Sequence, residues 1–143
     1  LSSTKTIVKD KSIILIDDSL VRGTTCHKIV KMLYESGAKE VHVRIACPEI
    51  KFPDFYGVDM PTKEELLAHK KNISEMCEYI KAKSLKFLSL DGLYKALTDQ
   101  KRNDNYPQFS DHYFTGDYPI KPSDNLKGLE IKQLSLLSGK SNI

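Results

Sequence analysis

Hydrophobic and polar positions follow a strand–helix order along the first hundred residues of the chain. Residues 13–16 are four consecutive large apolar residues, which predict a short, fully buried strand over 13–17. Apolar residues then recur at helical spacing over 25–36, and Gly37 is a suitable helix terminator. The segment 41–47 has β-branched residues at alternate positions, 41, 43 and 45, and predicts a second strand.

Capping signals predict the elements that follow a proline-rich loop at 48–61. Thr62 and Glu65 have the spacing of a capping box, which predicts a short helix from Thr62 to about His69. The remaining predicted elements are a helix from Asn72 through Ile80, a strand at 85–88 and a helix capped by Ser89 that runs to about Gln100. This alternation predicts an α/β fold with right-handed crossovers, a parallel sheet and helices on the sheet faces.

The periodicity ends near Lys101, which suggests a division of the chain. We predict an α/β domain over 1–101 and an irregular C-terminal extension over 102–143. The chain has 143 residues, enough for one domain with a core of its own. Leu1 is not an initiator methionine and strong patterning starts within a dozen residues, so we expect the C-terminal part of a longer protein.

Composition narrows the classes of function. Hydrophobic residues make up 40% and charged residues 29%, which is normal for a globular protein. The net charge of +3 is mild and both signs are interspersed, so we expect neither a nucleic-acid partner nor a membrane partner. Cys26, Cys47 and Cys77 are far apart and odd in number, which favours reduced thiols and a cytoplasmic location.

The segment after the first strand carries the clearest chemistry. Asp17 and Asp18 are adjacent carboxylates that can accept hydrogen bonds from sugar hydroxyls or face a hard cation. Residues 19–25 then combine hydroxyl side chains with Gly23, directly before a predicted helix. Free N–H groups at a helix start attract phosphate, and a glycine lets the main chain approach it. The pattern predicts a sugar-phosphate site beyond the carboxyl end of the strand.

Three stretches together resemble one enzyme family. Asp-Asp-Ser-Leu-Val-Arg-Gly-Thr-Thr at 17–25 resembles the phosphoribosyl pyrophosphate (PRPP) motif of type I phosphoribosyltransferases, in the form typical of glutamine PRPP amidotransferases, or amidophosphoribosyltransferases. Phe-Tyr-Gly-Val-Asp-Met-Pro at 55–61, followed by Glu-Leu-Leu-Ala-His at 65–69, is similar to the same family. So is Phe-Thr-Gly-Asp-Tyr-Pro at 114–119. The resemblance implies the C-terminal portion of a type I phosphoribosyltransferase fold.

The resemblance also implies a reaction. Members of this family are glycosyltransferases that make 5-phosphoribosylamine from PRPP and glutamine-derived ammonia, the first committed step of de novo purine biosynthesis. Asp17 and Asp18 would hold the ribose hydroxyls and, with PRPP, Mg²⁺, while Asp59 and Leu66 would belong to an active-site or ammonia-route loop. The 5-phosphate would be wrapped by Ser19, Leu20, Val21, Arg22, Gly23, Thr24 and Thr25.

Departures from the family pattern define further expectations. The chain has no N-terminal cysteine nucleophile and lacks the first half of the phosphoribosyltransferase fold, so no catalytic set is complete and we expect no amidotransfer by this chain alone. Some members hold an iron–sulfur cluster on cysteines, but the corresponding stretches at 52–55 and 107–113 contain none, so we expect no cluster. Expected partners are PRPP, purine nucleotides as feedback inhibitors, the missing glutaminase and phosphoribosyltransferase segments and a second copy in a homo-oligomer.

Two other functions remain open at this stage. A salvage-type purine phosphoribosyltransferase would share the motif at 17–25 but leaves the stretch around Tyr56 unexplained. A non-enzymatic PRPP- or nucleotide-binding module would use the same phosphate site as a sensor. Binding of PRPP, AMP or GMP and turnover with ammonia distinguish these alternatives.

Overall fold

Three parallel strands form the centre of the protein. The computed structural model describes residues 7–58 and 61–120. The strands are β1 (Ser12–Asp17), β2 (Glu40–Ile45) and β3 (Ser84–Phe87), in the sheet order β1-β2-β3. In the parallel register Leu15 lies opposite Val43, and Val43 lies opposite Leu85. The predicted α/β fold with a parallel sheet is confirmed.

The helices begin close to the residues that the capping signals indicate. Asn72 accepts a hydrogen bond from the Glu75 amide, and Ser89 accepts one from the Gly92 amide, so both are N-caps as predicted. The helices are α1 (Thr24–Glu35), α2 (Leu67–Lys70), α3 (Ile73–Ile80), α4 (Leu90–Thr98) and α5 (His112–Thr115). Within the described part of the chain, no helix is long and apolar enough to span a bilayer.

The predicted helix from Thr62 to His69 is wrong in one respect. The capping box between Thr62 and Glu65 is present, but it closes only a 3₁₀ turn, Lys63–Glu65. Leu66 is extended, and a new helix starts at Leu67. The break occurs because the Leu67 amide donates to the carbonyl of Val21, 2.9 Å away. The tertiary contact therefore interrupts a locally favourable helix.

The prediction of a fully buried first strand is also wrong. Helices α1 and α3 pack together on one face of the sheet, where Val41 and Val43 are fully buried. Side chains alternate along a strand, so Ile14 and Ile16 lie on the other face and are 65% and 73% exposed. Within residues 7–58 and 61–120, nothing covers this pair. A run of four apolar residues could not distinguish these cases.

The segment after α4 packs against the loop that follows β2. The amides of Lys51 and Phe52 both donate to the carbonyl of Tyr113, and the Tyr118 hydroxyl donates to the carbonyl of Pro53. These contacts join the first part of the predicted extension to the α/β unit. The division at 101/102 stays a prediction, and residues 121–143 lie outside the described ranges.

Candidate functional site

A cavity of about 450 Å³ opens at the carboxyl end of β1. It is lined by residues 17–26, and Pro61 closes one side. All nine residues predicted from the motif at 17–25 therefore lie around one volume. Its size falls within the range of small-molecule sites.

Main-chain N–H groups of the loop are available to a ligand. Helix α1 has Gly23 at its N-cap, no capping side chain and no acidic residue in its first turn. The first amide to bond back into the helix is that of His27, which donates to the Gly23 carbonyl. Among the described residues, the amides of 21–26 have no acceptor. Because the amides of 24–26 form the positive end of the helix dipole and those of 21–23 lie directly before it, the loop can bind a phosphate.

Gly23 is required at this point for two reasons. Its φ of +76° lies in the left-handed region, which glycine adopts without strain. A Cβ atom at this position would lie 2.7 Å from Leu67 Cδ2 and 3.0 Å from Tyr79 Cε1. The main chain therefore passes directly over these two side chains, and a larger residue would displace the loop.

The two carboxylates retain acceptor capacity toward the cavity. Asp17 Oδ1 accepts from the Asp18 amide at 3.0 Å, and Asp18 Oδ1 accepts from the Ser19 hydroxyl at 2.9 Å. The second oxygen of each side chain accepts no bond from the part of the chain that the structure describes. These oxygens have the chemistry to bind neighbouring hydroxyls of a sugar.

The donor set also fits a cation that arrives with its ligand. Over residues 7–58 and 61–120, no three His, Cys, Asp or Glu side chains are arranged to hold a metal. Mg²⁺ commonly uses one or two carboxylates together with substrate phosphates and water, rather than an all-protein cage. Asp17 and Asp18 are a donor set of that kind.

The second motif meets the first, as expected from the sheet edge. Arg22 Nη2 lies 3.0 Å from Glu65 Oε1, and the main chain of Leu67 is bonded to that of Val21. Leu66 is fully buried and does not line the cavity, so its place on an ammonia route stays a prediction. Asp59 lies outside the described residues.

A buried polar cluster centred on Asp54 was missed by sequence reasoning. Asp54 Oδ1 accepts from His112 Nε2 at 2.8 Å and from the Tyr113 hydroxyl at 3.0 Å. Asp54 Oδ2 accepts from the amides of Tyr56 and Val58, each at 2.8 Å. The Asp54 and His112 side chains are both 1% exposed. They are 58 positions apart, so no local pattern links them.

The same cluster brings together the stretches at 52–55 and 107–113. Burial raises the pKa of Asp54, but the donors from Val58, Tyr56, His112 and Tyr113 outweigh burial and hold the net pKa below its ordinary value. Asp54 is thus an ionised anchor for both stretches. Its inaccessibility argues for a structural role rather than a catalytic one.

A second buried cluster lies beside it, around Arg102. Arg102 Nε lies 2.6 Å from Asp111 Oδ2, Arg102 Nη2 lies 2.7 Å from Asp117, and the Tyr94 hydroxyl also donates to Asp111. Burial raises the pKa of Asp111, but bonds from Arg102 and Tyr94 outweigh it and lower the net pKa. This cluster fastens the segment after α4 to α4 itself.

The cysteines near the cavity are poor nucleophiles. Burial, with a contribution from Asp17, raises the pKa of Cys26 to about 11. Burial, with Asp18 as the next cause, raises the pKa of Cys47 to about 11. All three cysteines are free thiols. Because the thiolate is the reactive form, neither residue is suited to covalent catalysis near pH 7.

Comparisons with known proteins agree on one family. No family model matches the chain. It is 49% identical over 138 residues to an amidophosphoribosyltransferase of Rhizobium etli, a match that covers 96% of this chain and 28% of the relative. It is 51% identical over 119 residues to an amidophosphoribosyltransferase of Staphylococcus aureus, covering 83% and 24%.

A solved structure matches the fold as well. The glutamine PRPP amidotransferase of B. subtilis, complexed with ADP and GMP, aligns with a TM-score of 0.77 and 41% identity. The alignment covers 85% of this chain and 26% of that chain. The chain therefore spans about a quarter of the length of the proteins that it matches.

Proposed function

Because the chain belongs to the amidophosphoribosyltransferase family over the quarter of the enzyme that it spans, we propose that it supplies the PRPP-binding part of such an enzyme. One observation carries the proposal. Residues 21–26, whose amides have no acceptor among the described residues, line the same cavity as Asp17 and Asp18. Those two groups match the two ends of a ribose 5-phosphate.

The binding mode follows from the donors and acceptors. The 5-phosphate would accept hydrogen bonds from the amides of 21–26 and from the hydroxyls of Ser19, Thr24 and Thr25, at the positive end of α1. The ribose hydroxyls would donate to Asp17 and Asp18. Mg²⁺, held by these two carboxylates together with PRPP, would offset the pyrophosphate charge.

The proposed reaction of the whole enzyme is glycosyl transfer to ammonia. A C–N bond forms at ribose C1, the C–O bond to pyrophosphate breaks, and 5-phosphoribosylamine results, as the first committed step of de novo purine biosynthesis. Positive charge develops at C1, and the carboxylates of Asp17 and Asp18 favour it electrostatically. We propose that this chain binds PRPP but does not catalyse the transfer alone, since positioning of the other reactants supplies much of catalysis.

The same chemistry suggests the partners. A purine nucleoside monophosphate carries a ribose 5-phosphate and would compete with PRPP for this cavity, as a feedback inhibitor does. The other partners are the remaining three quarters of the enzyme's length and a second copy in a homo-oligomer, for which the exposed Ile14 and Ile16 provide an apolar contact. Three free thiols favour a reducing compartment, the cytoplasm.

Calorimetry on the full chain tests the proposal. Wild type should bind PRPP with Mg²⁺, and AMP or GMP should compete. Replacing Asp17→Asn and Asp18→Asn together should weaken PRPP binding by about tenfold or more, because charge-assisted bonds to the sugar are lost. Asp91→Asn, an exposed aspartate that does not line the cavity, is the matched control and should bind as wild type does.

The outcomes distinguish the proposal from its alternatives. No binding of PRPP by wild type would overturn the proposed function. Formation of phosphoribosylamine from PRPP and ammonia by this chain alone would overturn the proposed inactivity. Turnover with a free purine base would identify a salvage-type enzyme instead.

A further inference from the structure

One main-chain bond connects the second motif to the loop that lines the cavity. Leu67 is the first residue of α2, where an amide has no acceptor within its own helix. Its N–H donates instead to the Val21 carbonyl at 2.9 Å. Val21 lines the cavity and Leu67 does not, so this bond is made on the side of the loop away from the cavity.

The geometry of the peptide bond gives this contact a consequence for the ligand. The peptide between Val21 and Arg22 is trans, so its C=O and N–H point in opposite directions. A carbonyl held by Leu67 therefore turns the Arg22 N–H away from Leu67, toward the cavity side of the loop. That amide is one of those without an acceptor among the described residues.

Two further contacts from the same short segment hold the loop. Glu65 binds the Arg22 guanidinium through Oε1 while its Oε2 accepts from the Thr62 amide at 3.1 Å. Leu67 Cδ2 packs close to Gly23, on the side where a Cβ atom would be. A loop held at three successive residues loses less conformational freedom when it binds an anion.

We propose that the Leu67 amide is a positioning group for phosphate binding, because it orients the Val21–Arg22 peptide so that the Arg22 N–H faces the phosphate. The inference rests on the proposed function and adds a residue outside the binding motif to it. Glu65 has a supporting role through Arg22. Neither residue lines the cavity.

The chain offers a matched pair of substitutions for the test. Leu67→Pro removes the side chain and the N–H, whereas Leu67→Ala removes only the side chain. Proline is tolerated at the first residue of a helix, and Leu66 already has the extended conformation that a residue before proline prefers. Both variants lose the packing of the Leu67 side chain, and the difference in phosphate binding between them reports the N–H.

Binding of ribose 5-phosphate and inorganic phosphate is the readout. Leu67→Pro should bind both about tenfold more weakly than Leu67→Ala, the effect of one well-oriented hydrogen bond. In ¹⁵N–¹H spectra, the Arg22 amide resonance should move on phosphate addition in wild type and Leu67→Ala, but not in Leu67→Pro. Equal affinities with the same Arg22 shift in both variants would overturn the inference.

A milder substitution keeps the test decisive if the proline variant does not fold. Glu65→Gln retains an acceptor for the Thr62 amide but removes the charge that holds Arg22, and it should weaken ribose 5-phosphate binding about threefold. Glu64→Gln is its control and should bind normally. Binding by Glu65→Gln that equals wild type would overturn the positioning role of this segment. Failure of wild type to bind any of the probes would instead overturn the proposed function itself.

Discussion

The loop at 17–26 and the buried clusters around Asp54 and Asp111 use the same chemical groups in opposite ways. In the clusters, both oxygens of Asp54 and both oxygens of Asp111 accept bonds from amide, hydroxyl, imidazole or guanidinium donors. Across the described residues, no buried side-chain nitrogen or oxygen is left without a partner. In the loop that lines the cavity, the amides of 21–26 and one oxygen each of Asp17 and Asp18 have no partner among the described residues. Paired polar groups stabilise this fold, whereas polar groups without a partner among the described residues are the basis of the proposed binding site.

The largest expected effect is a loss of stability when the buried cluster around Arg102 loses a carboxylate. Asp111→Ala should reduce the free energy of unfolding by about 3–5 kcal/mol, because it leaves the largely buried Arg102 without its principal partner. Urea denaturation followed by circular dichroism measures the change.

The control uses a partner of the same guanidinium. Asp104 also contacts Arg102, at 2.9 Å, but its side chain is 89% exposed. Asp104→Ala should change stability by no more than about 0.5 kcal/mol. Equal losses for the two variants would contradict the difference between buried and exposed carboxylates.

A smaller effect is expected in the open loop. Gly23→Ala should cost about 1–3 kcal/mol, because alanine is strained at positive φ and its Cβ would clash with Leu67. It should also abolish measurable binding of ribose 5-phosphate, since the loop must move. Thermal unfolding and calorimetry on the same samples measure both effects.

Gly57 separates the two causes. It also has positive φ, +107°, but a Cβ there would meet no atom of the described residues within 4 Å. Gly57→Ala therefore carries backbone strain without the clash and should bind ribose 5-phosphate as wild type does. Loss of binding in both variants would show that the close approach to Leu67 is not what shapes the site.

The smallest expected effect is the dependence of stability on pH, which comes from protonation of Asp54 and Asp111 in the buried clusters. The pKa values of Asp54 and Asp111 are lowered in the folded chain, below the unfolded value of about 3.9. Their contribution to stability is therefore complete above about pH 4 and is lost as pH falls through the folded pKa. Urea midpoints from pH 7 to pH 3 should fall steeply only below pH 4. Asp54→Asn should flatten this acid limb, and an unchanged limb would contradict the assignment.

Sequence reasoning succeeded where the interaction is local. The caps at Asn72 and Ser89 involve residues three positions apart, so they are visible in the printed order of residues. It failed for Ile14 and Ile16, because burial of a strand face depends on which elements cover it. It also could not link His112 to Asp54, because the two residues are 58 positions apart.

The amino-acid order by itself determined the parallel α/β pattern, the family and the motif at 17–25 that lines the cavity. Each of these depends on the types of residues that are close together in sequence. Only the tertiary structure decided that the helix predicted after Thr62 breaks at Leu66. It also decided that the Leu67 amide bonds to the Val21 carbonyl and that His112 bonds to Asp54. These are contacts between distant segments, and their energies outweigh local propensity only when the chain has brought the segments together.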